Sequence, residues 1–189
     1  MKTLVIVAHP NLAKSRVNQR WVQELRQNSD VTIRILAETI AHGHFDIPNE
    51  QEALEAHDRI IWQFPFYWYN CPPILKTWID EVLEHGWAYG PGGTALEGKE
   101  LGLAISTWSR PHDYTSDGKY HRTMEELTSP FEAIAKRVGM EYKPGFFLNG
   151  VGDNSDEQLD GNAKEYVAWI QSSSAEVFKA PHLFSDAPS

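Results

Sequence analysis

The sequence predicts an α/β protein in which a parallel β-sheet carries helices on both faces. Three observations predict this class: five short apolar runs, helix-like segments between them, and a length of 189 residues that suits one domain. Strands that alternate with helices pair in parallel through right-handed crossovers, so few topologies are open to the chain. The composition, 41% hydrophobic and 23% charged, is typical of a globular protein.

Short apolar runs predict the strands. Strands one, three and four are expected to be buried, because they are continuous and rich in β-branched residues, whereas strand two alternates and is expected at a sheet edge. The five strands are predicted at residues 2–8, 31–36, 59–64, 100–107 and 141–149. An edge position for strand two favours the flavodoxin-like order 2-1-3-4-5, in which ligands bind at the carboxyl ends of the strands.

Amphipathic spacing and end signals predict the helices between these strands. The five helices are predicted at residues 15–28, 49–57, 73–85, 123–139 and 155–171. Ser15 is the expected N-cap of the first helix, and prolines are expected to start the third. Pro130 is expected to restart the fourth helix, and Ser155 with Gln158 to form a capping box on the last.

Composition also limits the classes of partner. We expect one domain over residues 1–172 and a tail over residues 173–189 that lies outside the core. A formal net charge of −9 argues against a nucleic-acid partner. The single cysteine, Cys71, excludes an internal disulfide and favours a cytoplasmic location. No apolar run approaches the roughly 20 residues of a membrane-spanning helix.

The loop after strand one carries the first candidate site. Its sequence, HPNLAKSRVN, contains no glycine, so the dinucleotide-binding fingerprint G-x-G-x-x-G is absent. It offers His9, Ser15 and Asn18 beside a helix N-terminus, where free N–H groups suit a phosphate. A simpler interpretation is that Ser15 only caps its helix and His9 is a turn residue, and this loop alone favours it.

Two further loops would share the same crevice. The loop after strand three, QFPFYWYNCPP, is aromatic, and two interpretations are open: a shelf for a flat heteroaromatic ligand, or an apolar plug or subunit contact. The loop after strand four, STWSRPHDYTSDGKYHR, is long and polar. If the predicted fold is right, the three loops together favour a nucleotide with a planar ring.

Three segments carry a resemblance to a known family. The resemblance is to the flavodoxin-like NAD(P)H quinone oxidoreductases, and it is carried by AHP with the following Ser15 and Asn18 over residues 8–18, by WQFPFYWYNCPPILKTWIDEVL at 62–83 and by HGWAYGPGGTALEGK at 85–99. The chain is most similar to the bacterial branch of general stress protein 14, the modulators of drug activity and the ancillary proteins of glutathione-regulated potassium efflux systems. The resemblance implies bound FMN, with FAD as the alternative, NAD(P)H as electron donor, a quinone-like acceptor and a homodimer.

The resemblance also implies roles for individual residues. The phosphate and ribityl chain would be held by His9, Ser15, Arg16, Val17 and Asn18. The ring would be held by Phe66, Tyr67, Trp68 and Tyr69, and its other edge lined by Ser106, Thr107, Trp108 and Ser109. Tyr114, with Tyr120 or His121, falls where related enzymes keep a tyrosine and a histidine that stabilise the reduced flavin. No metal site is predicted.

The chain departs from this family at two places. The usual Thr-Thr-Gly-Gly after strand four is Ser-Thr-Trp-Ser here, and the usual Gln of the aromatic loop is Tyr67. Glycine lets a backbone approach a ring closely, so Trp108 is expected to stack on the ring, cover it or restrict access. The alternative function is a flavin-containing regulatory subunit that docks on a potassium efflux transporter.

Overall fold

A computed structural model describes residues 1–172, and the tail predicted at residues 173–189 lies outside the described part. The strands are β1 (Thr3–Val7), β2 (Thr32–Ile35), β3 (Arg59–Pro65), β4 (Glu100–Ser106), β5 (Glu141–Tyr142) and β6 (Phe146–Leu148). The α-helices are α1 (Asn18–Asn28), α2 (Leu36–Thr39), α3 (Ile47–Glu55), α4 (Pro73–Val82), α5 (Met124–Leu127), α6 (Ser129–Arg137) and α7 (Asp156–Gln171). No helix within residues 1–172 is long and apolar enough to span a membrane.

The strands form one parallel sheet in the order β2-β1-β3-β4-β5, with β6 also paired to β4. This arrangement confirms the predicted fold class and strand order. Strands β1, β3 and β4 are buried along their whole length, whereas β2 is partly exposed at the edge. In the register, Val7 lies beside Gln63 and Gln63 beside Ala104, so the three central strands end close together.

Apolar side chains cover both faces of the sheet. On one face, Trp62 of β3 packs edge-on against Trp78 of α4 and Phe131 of α6, with ring centroids 6.3 and 6.1 Å away. On the other face, Trp21 of α1 packs against Tyr166 of α7 at 4.9 Å. These aromatic pairs each add about 0.5–1.5 kcal/mol to the hydrophobic gain of burial. They fix the helices on both sides, as the sequence predicts.

Two predicted elements have different bounds. The strand predicted at 141–149 is interrupted at Pro144 and Gly145, because proline cannot donate to the sheet and glycine weakens a strand, so β5 and β6 pair separately with β4. The first helix begins at Asn18 and not at Ser15. Ser15 is extended, and its Oγ accepts the backbone N–H of Asn18 at 3.0 Å, so it caps the helix from outside.

Other end signals act as predicted. The Ser155 Oγ accepts the N–H of Gln158 at 3.2 Å, while the Gln158 Oε1 accepts the N–H of Ser155 at 2.7 Å, which confirms the capping box. Pro130 lies in the first turn of α6, which restarts after α5 ends. Pro73 begins α4, although that helix ends at Val82, earlier than the predicted residue 85.

Candidate functional site

The candidate site lies at the carboxyl edge of the sheet, where the loops after β1, β3 and β4 start side by side. Ala8, just after β1, donates its backbone N–H to the carbonyl oxygen of Gln63 at 2.9 Å. Phe66, just after β3, donates to the carbonyl oxygen of Ser106 at 2.9 Å. These bonds bring the three loops that the sequence singles out to one place, at the switch point between β1 and β3.

The N-terminus of α1 presents unpaired backbone donors at this edge. Within residues 1–172, the backbone N–H groups of Arg16 and Val17 bond to no backbone acceptor, and that of Asn18 bonds only to the Oγ of Ser15. Free donors at the positive end of a helix dipole suit an anion such as a phosphate. The site therefore has the donors that a phosphate group requires.

A buried hydrogen-bond network fixes this helix end to the sheet. The Asn18 Nδ2 donates to the Oγ of Ser106 at 3.0 Å, and the Gln63 Nε2 donates to the carbonyl oxygen and Oδ1 of Asn18 at 3.1 and 3.3 Å. The Tyr166 hydroxyl donates to the Gln63 Oε1 at 3.2 Å. Burial raises the pKa of Tyr166 well above its ordinary value, so it stays a donor. The Asn18 side chain thus bonds to Ser106 and Gln63 and anchors the start of α1.

Two predicted phosphate ligands differ in how free their side chains are. The His9 Nδ1 accepts the backbone N–H of Asn11 at 3.0 Å, and burial lowers the pKa of His9. Its ring is therefore neutral near pH 7, with the proton on Nε2, which leaves Nε2 able to donate. The Arg16 guanidinium instead donates to the Asp156 Oδ1 at 2.9 Å and to the Asn154 carbonyl oxygen at 3.1 Å.

The aromatic loop after β3 is a tight turn with strained backbone. Tyr67 and Asn70 exchange backbone hydrogen bonds of 2.8 and 3.0 Å, so Trp68 and Tyr69 form a two-residue hairpin turn. Both have positive φ, 49° and 62°, as in a type I′ turn, which normally takes Asn-Gly. The Trp68 side chain is 92% exposed. Such strain is found where a ligand or partner uses the conformation, and packing alone does not account for this exposed ring.

A cluster of tyrosines joins this turn to the loop after β4. The ring of Tyr69 meets that of Tyr120 edge-on at 5.2 Å, and Tyr114 packs against Tyr120 at the same distance. The Tyr120 hydroxyl lies 2.7 Å from the Oγ of Ser109. The structure therefore brings together Tyr114 and Tyr120, which the sequence predicts as catalytic, with Ser109 and Tyr69, predicted at the cofactor.

Two other predicted residues of the loop after β4 lie at its start and near its end. Thr107 is buried, with its Oγ1 2.9 Å from both the Ser109 carbonyl oxygen and the Asn149 Oδ1. His121 is exposed in a left-handed backbone conformation, and its Nδ1 lies 3.2 Å from the Ser116 carbonyl oxygen.

Trp108 borders an open groove. Its side chain is 80% exposed, and its ring packs on Gly152, where an added Cβ would lie 3.1 Å from the ring carbons. The groove has a volume of about 450 Å³ and is also lined by Ser109, Lys119 and the ion pair of Arg110 with Asp153. This volume lies within the roughly 300–1,000 Å³ range of small-molecule sites.

Sequence reasoning missed three residues that shape the site. Gln63 and Tyr166 hold the buried network, and Gly152 supports Trp108. A glutamine within the apolar run RIIWQF was a readable signal, because a buried polar group needs partners. Tyr166 and Gly152 gave no such signal, because the residues that they contact, Gln63 and Trp108, are distant in sequence.

The fold and the site together define the class of protein. The chain belongs to the family with the flavodoxin-like fold, which it matches over residues 1–170. It is 45% identical over 171 residues to YrkL of Bacillus subtilis, an uncharacterized NAD(P)H oxidoreductase, and this match covers 90% of the chain and 98% of the relative.

Two solved structures are similar over nearly the same range. The general stress protein 14 of Treponema denticola, in complex with FMN, is 40% identical, with a TM-score of 0.85 over 90% of this chain and 98% of that one. The NADPH-quinone reductase of P. pentosaceus is 33% identical, with a TM-score of 0.82 over 92% of this chain and 99% of that one.

Proposed function

We propose that this protein is an FMN-dependent NAD(P)H oxidoreductase that reduces a quinone or a similar acceptor. The observation that carries the proposal is that open helix N–H groups and an exposed, strained aromatic turn meet at the carboxyl edge of one sheet. The first suits a phosphate and the second a flat heteroaromatic ring. The FMN complex of the T. denticola protein, which is 40% identical, supports FMN as the ligand.

The residues present fit FMN in charge and shape. The open backbone donors of Arg16 and Val17 and the free Nε2 of His9 would hold the phosphate, while Asn18 supports this helix end. The turn from Tyr67 to Asn70 would hold the ring. Ser106 and Thr107 are buried where β4 ends and would border the ring's other edge.

The bound flavin would supply ping-pong chemistry, taking a hydride from NAD(P)H and passing two electrons to the acceptor. The chain's own residues would orient the partners and manage protons. Tyr120 would give a proton to the reduced acceptor, with Tyr114 packed against its ring. The groove beside Trp108 would admit the acceptor. The protein itself would position the reactants and supply the proton to the reduced acceptor.

The proposal includes a homodimer, which the same exposed rings support, and a location in the cytoplasm, which the single cysteine favours. Tyr67, Trp68, Tyr69 and Trp108 are the large aromatic side chains, within residues 1–172, that are most exposed to solvent. Large aromatic side chains exposed in this way are enriched at protein–protein interfaces. Sedimentation velocity at micromolar concentration should give a dimer, and a species of monomer mass would remove this part of the proposal.

Cofactor identity and turnover together test the function. The purified protein is stripped of ligand, incubated with FMN or FAD, and the quenching of flavin fluorescence is measured. Tighter binding of FMN, followed by NADPH oxidation that depends on an added quinone, is the expected result. Tighter binding of FAD would overturn the cofactor assignment. Flavin binding without NADPH oxidation would favour the regulatory subunit over the enzyme.

A further inference from the structure

We propose that Ser109 is a positioning residue, which holds the hydroxyl group of Tyr120 so that Tyr120 can give its proton to the acceptor. The inference rests on the proposed function and gives a role to Ser109, which lies three residues after the end of β4. It concerns a contact between two side chains of one loop, 2.7 Å apart.

The geometry restricts the Tyr120 hydroxyl from several sides. The Ser109 Oγ lies within hydrogen-bond distance, while the edge-on ring of Tyr69 and the tilted ring of Tyr114 pack against the phenol. The backbone N–H of Tyr120 donates to the Asp113 carbonyl oxygen at 3.1 Å. The phenol therefore has little freedom to rotate, and its hydroxyl group is left beside Ser109, which also lines the open groove.

The electrostatic surroundings favour proton release. The hydrogen bond with Ser109 is the largest influence that lowers the pKa of Tyr120, and burial opposes it. Tyr69 and the ammonium group of Lys119, 5.4 Å from the Tyr120 ring centroid, also lower that pKa, while the carboxylate of Asp113 raises it. The pKa of Tyr69 moves upward, chiefly because of a side-chain hydrogen bond with Tyr120, and burial adds to that rise.

The proton step balances without a further reagent. A quinone that takes up a hydride equivalent, two electrons and one proton, becomes a hydroquinone monoanion. The O–H bond of Tyr120 then breaks and an O–H bond forms on the acceptor oxygen, which gives the neutral hydroquinone and leaves a tyrosinate. Ser109 donates its hydroxyl proton in a hydrogen bond to that phenolate oxygen, and water reprotonates Tyr120 before the next turnover.

The test combines a pH titration of the flavin-free protein with a measurement of the rate of quinone reduction. Tyrosinate absorbance is followed against pH, and the Tyr120 transition is isolated by subtracting the curve of Tyr120→Phe. Three variants are compared: Ser109→Ala removes the hydroxyl, Ser109→Thr keeps it, and Ser116→Ala removes an exposed hydroxyl of the same loop. The rate is that of quinone reduction by the NADPH-reduced holoprotein.

The proposal predicts that the midpoint of the Tyr120 titration lies at higher pH in Ser109→Ala than in the unchanged protein. In Ser109→Thr and in Ser116→Ala the midpoint should equal that of the unchanged protein. Quinone reduction should slow about tenfold in Ser109→Ala relative to Ser116→Ala, which matches the loss of one hydrogen bond. An unmoved transition in Ser109→Ala, or equal rates in the two alanine variants, would overturn it. If NADPH fails to reduce the bound flavin, the proposed function fails, while the titration still judges the role of Ser109.

Discussion

The side chain of Asn18, the first residue of α1, donates a 3.0 Å hydrogen bond to the hydroxyl of Ser106, the last residue of β4. The Gln63 side chain completes the link by donating to Asn18 from β3. All three residues are buried. The helix end that presents free N–H groups is therefore held in place before any ligand arrives, and such preorganisation lowers the cost of binding.

Replacement of Asn18 by alanine should damage both stability and cofactor binding. The change leaves the buried amide of Gln63 and the hydroxyl of Ser106 short of partners, which costs about 1–3 kcal/mol. Urea unfolding of the flavin-free protein measures this loss, and fluorescence quenching should show weaker FMN binding. Asn11→Ala, at an exposed residue whose side chain makes no cap bond, is the control. Equal unfolding midpoints for the two variants would contradict the network's importance.

Replacement of Trp68 by asparagine should stabilise the protein while it weakens FMN binding. Trp68 has positive φ and its side chain is 92% exposed, so asparagine relieves backbone strain and loses little contact. The free energy of unfolding without flavin should rise by about 1 kcal/mol. Tyr67→Asn, at a turn-flanking residue without positive φ, provides the comparison. Destabilisation by Trp68→Asn would show that the ring contributes packing that the exposed surface does not reveal.

Gly152→Ala should alter the use of bulky acceptors through Trp108. A methyl group at Gly152 would lie 3.1 Å from the Trp108 ring, so the ring must shift in the groove. The apparent KM for a naphthoquinone should change several-fold, about 1 kcal/mol, which is within the range for a single packing contact. Gly161→Ala, where a Cβ meets no atom within 4 Å, is the matched control. The same KM in both variants would place the acceptor elsewhere.

His9 should make the stability of the flavin-free protein depend on pH. Its folded-state pKa lies below the model-peptide value of 6.5, because burial disfavours the charged ring. The unfolded chain then binds more protons between the two pKa values, so this contribution falls as pH drops below 6.5 towards the folded pKa. Between about pH 7.5 and pH 5.5, the loss of unfolding free energy should be smaller in His9→Asn. Parallel curves for the two proteins would contradict burial of the ring.

The sheet was predictable because its signals are local. The largely apolar runs of β1, β3 and β4 indicate burial on both faces, and the alternation in β2 indicates an edge position. Helix ends were less predictable. A serine at position 15 is compatible with a helix that starts beside it and with one that starts several residues later, and only the contacts of Asn18 fix the start of α1. The split of strand five follows from Pro144, although the sequence alone does not show that both halves still pair with β4.

The site was predictable in its position and residue types, but not in its contacts. The aromatic run gave no hint of a type I′ turn, because Trp-Tyr is a poor sequence for positive φ. The contact between Tyr69 and Tyr120 joins two loops and depends on the whole sheet. Arg16 was predicted at the phosphate, yet its guanidinium pairs with Asp156 of α7, whose position no local pattern reveals.

The most direct test of the proposed function is the anaerobic absorbance spectrum of the FMN-loaded protein, recorded before and after NADPH is added. The proposed function predicts a flavin spectrum that bleaches within seconds and returns when a quinone is supplied. A bound flavin that NADPH leaves oxidised would contradict the oxidoreductase assignment. Failure to bind FMN at all would contradict the assignment of the helix end and the aromatic turn as its site.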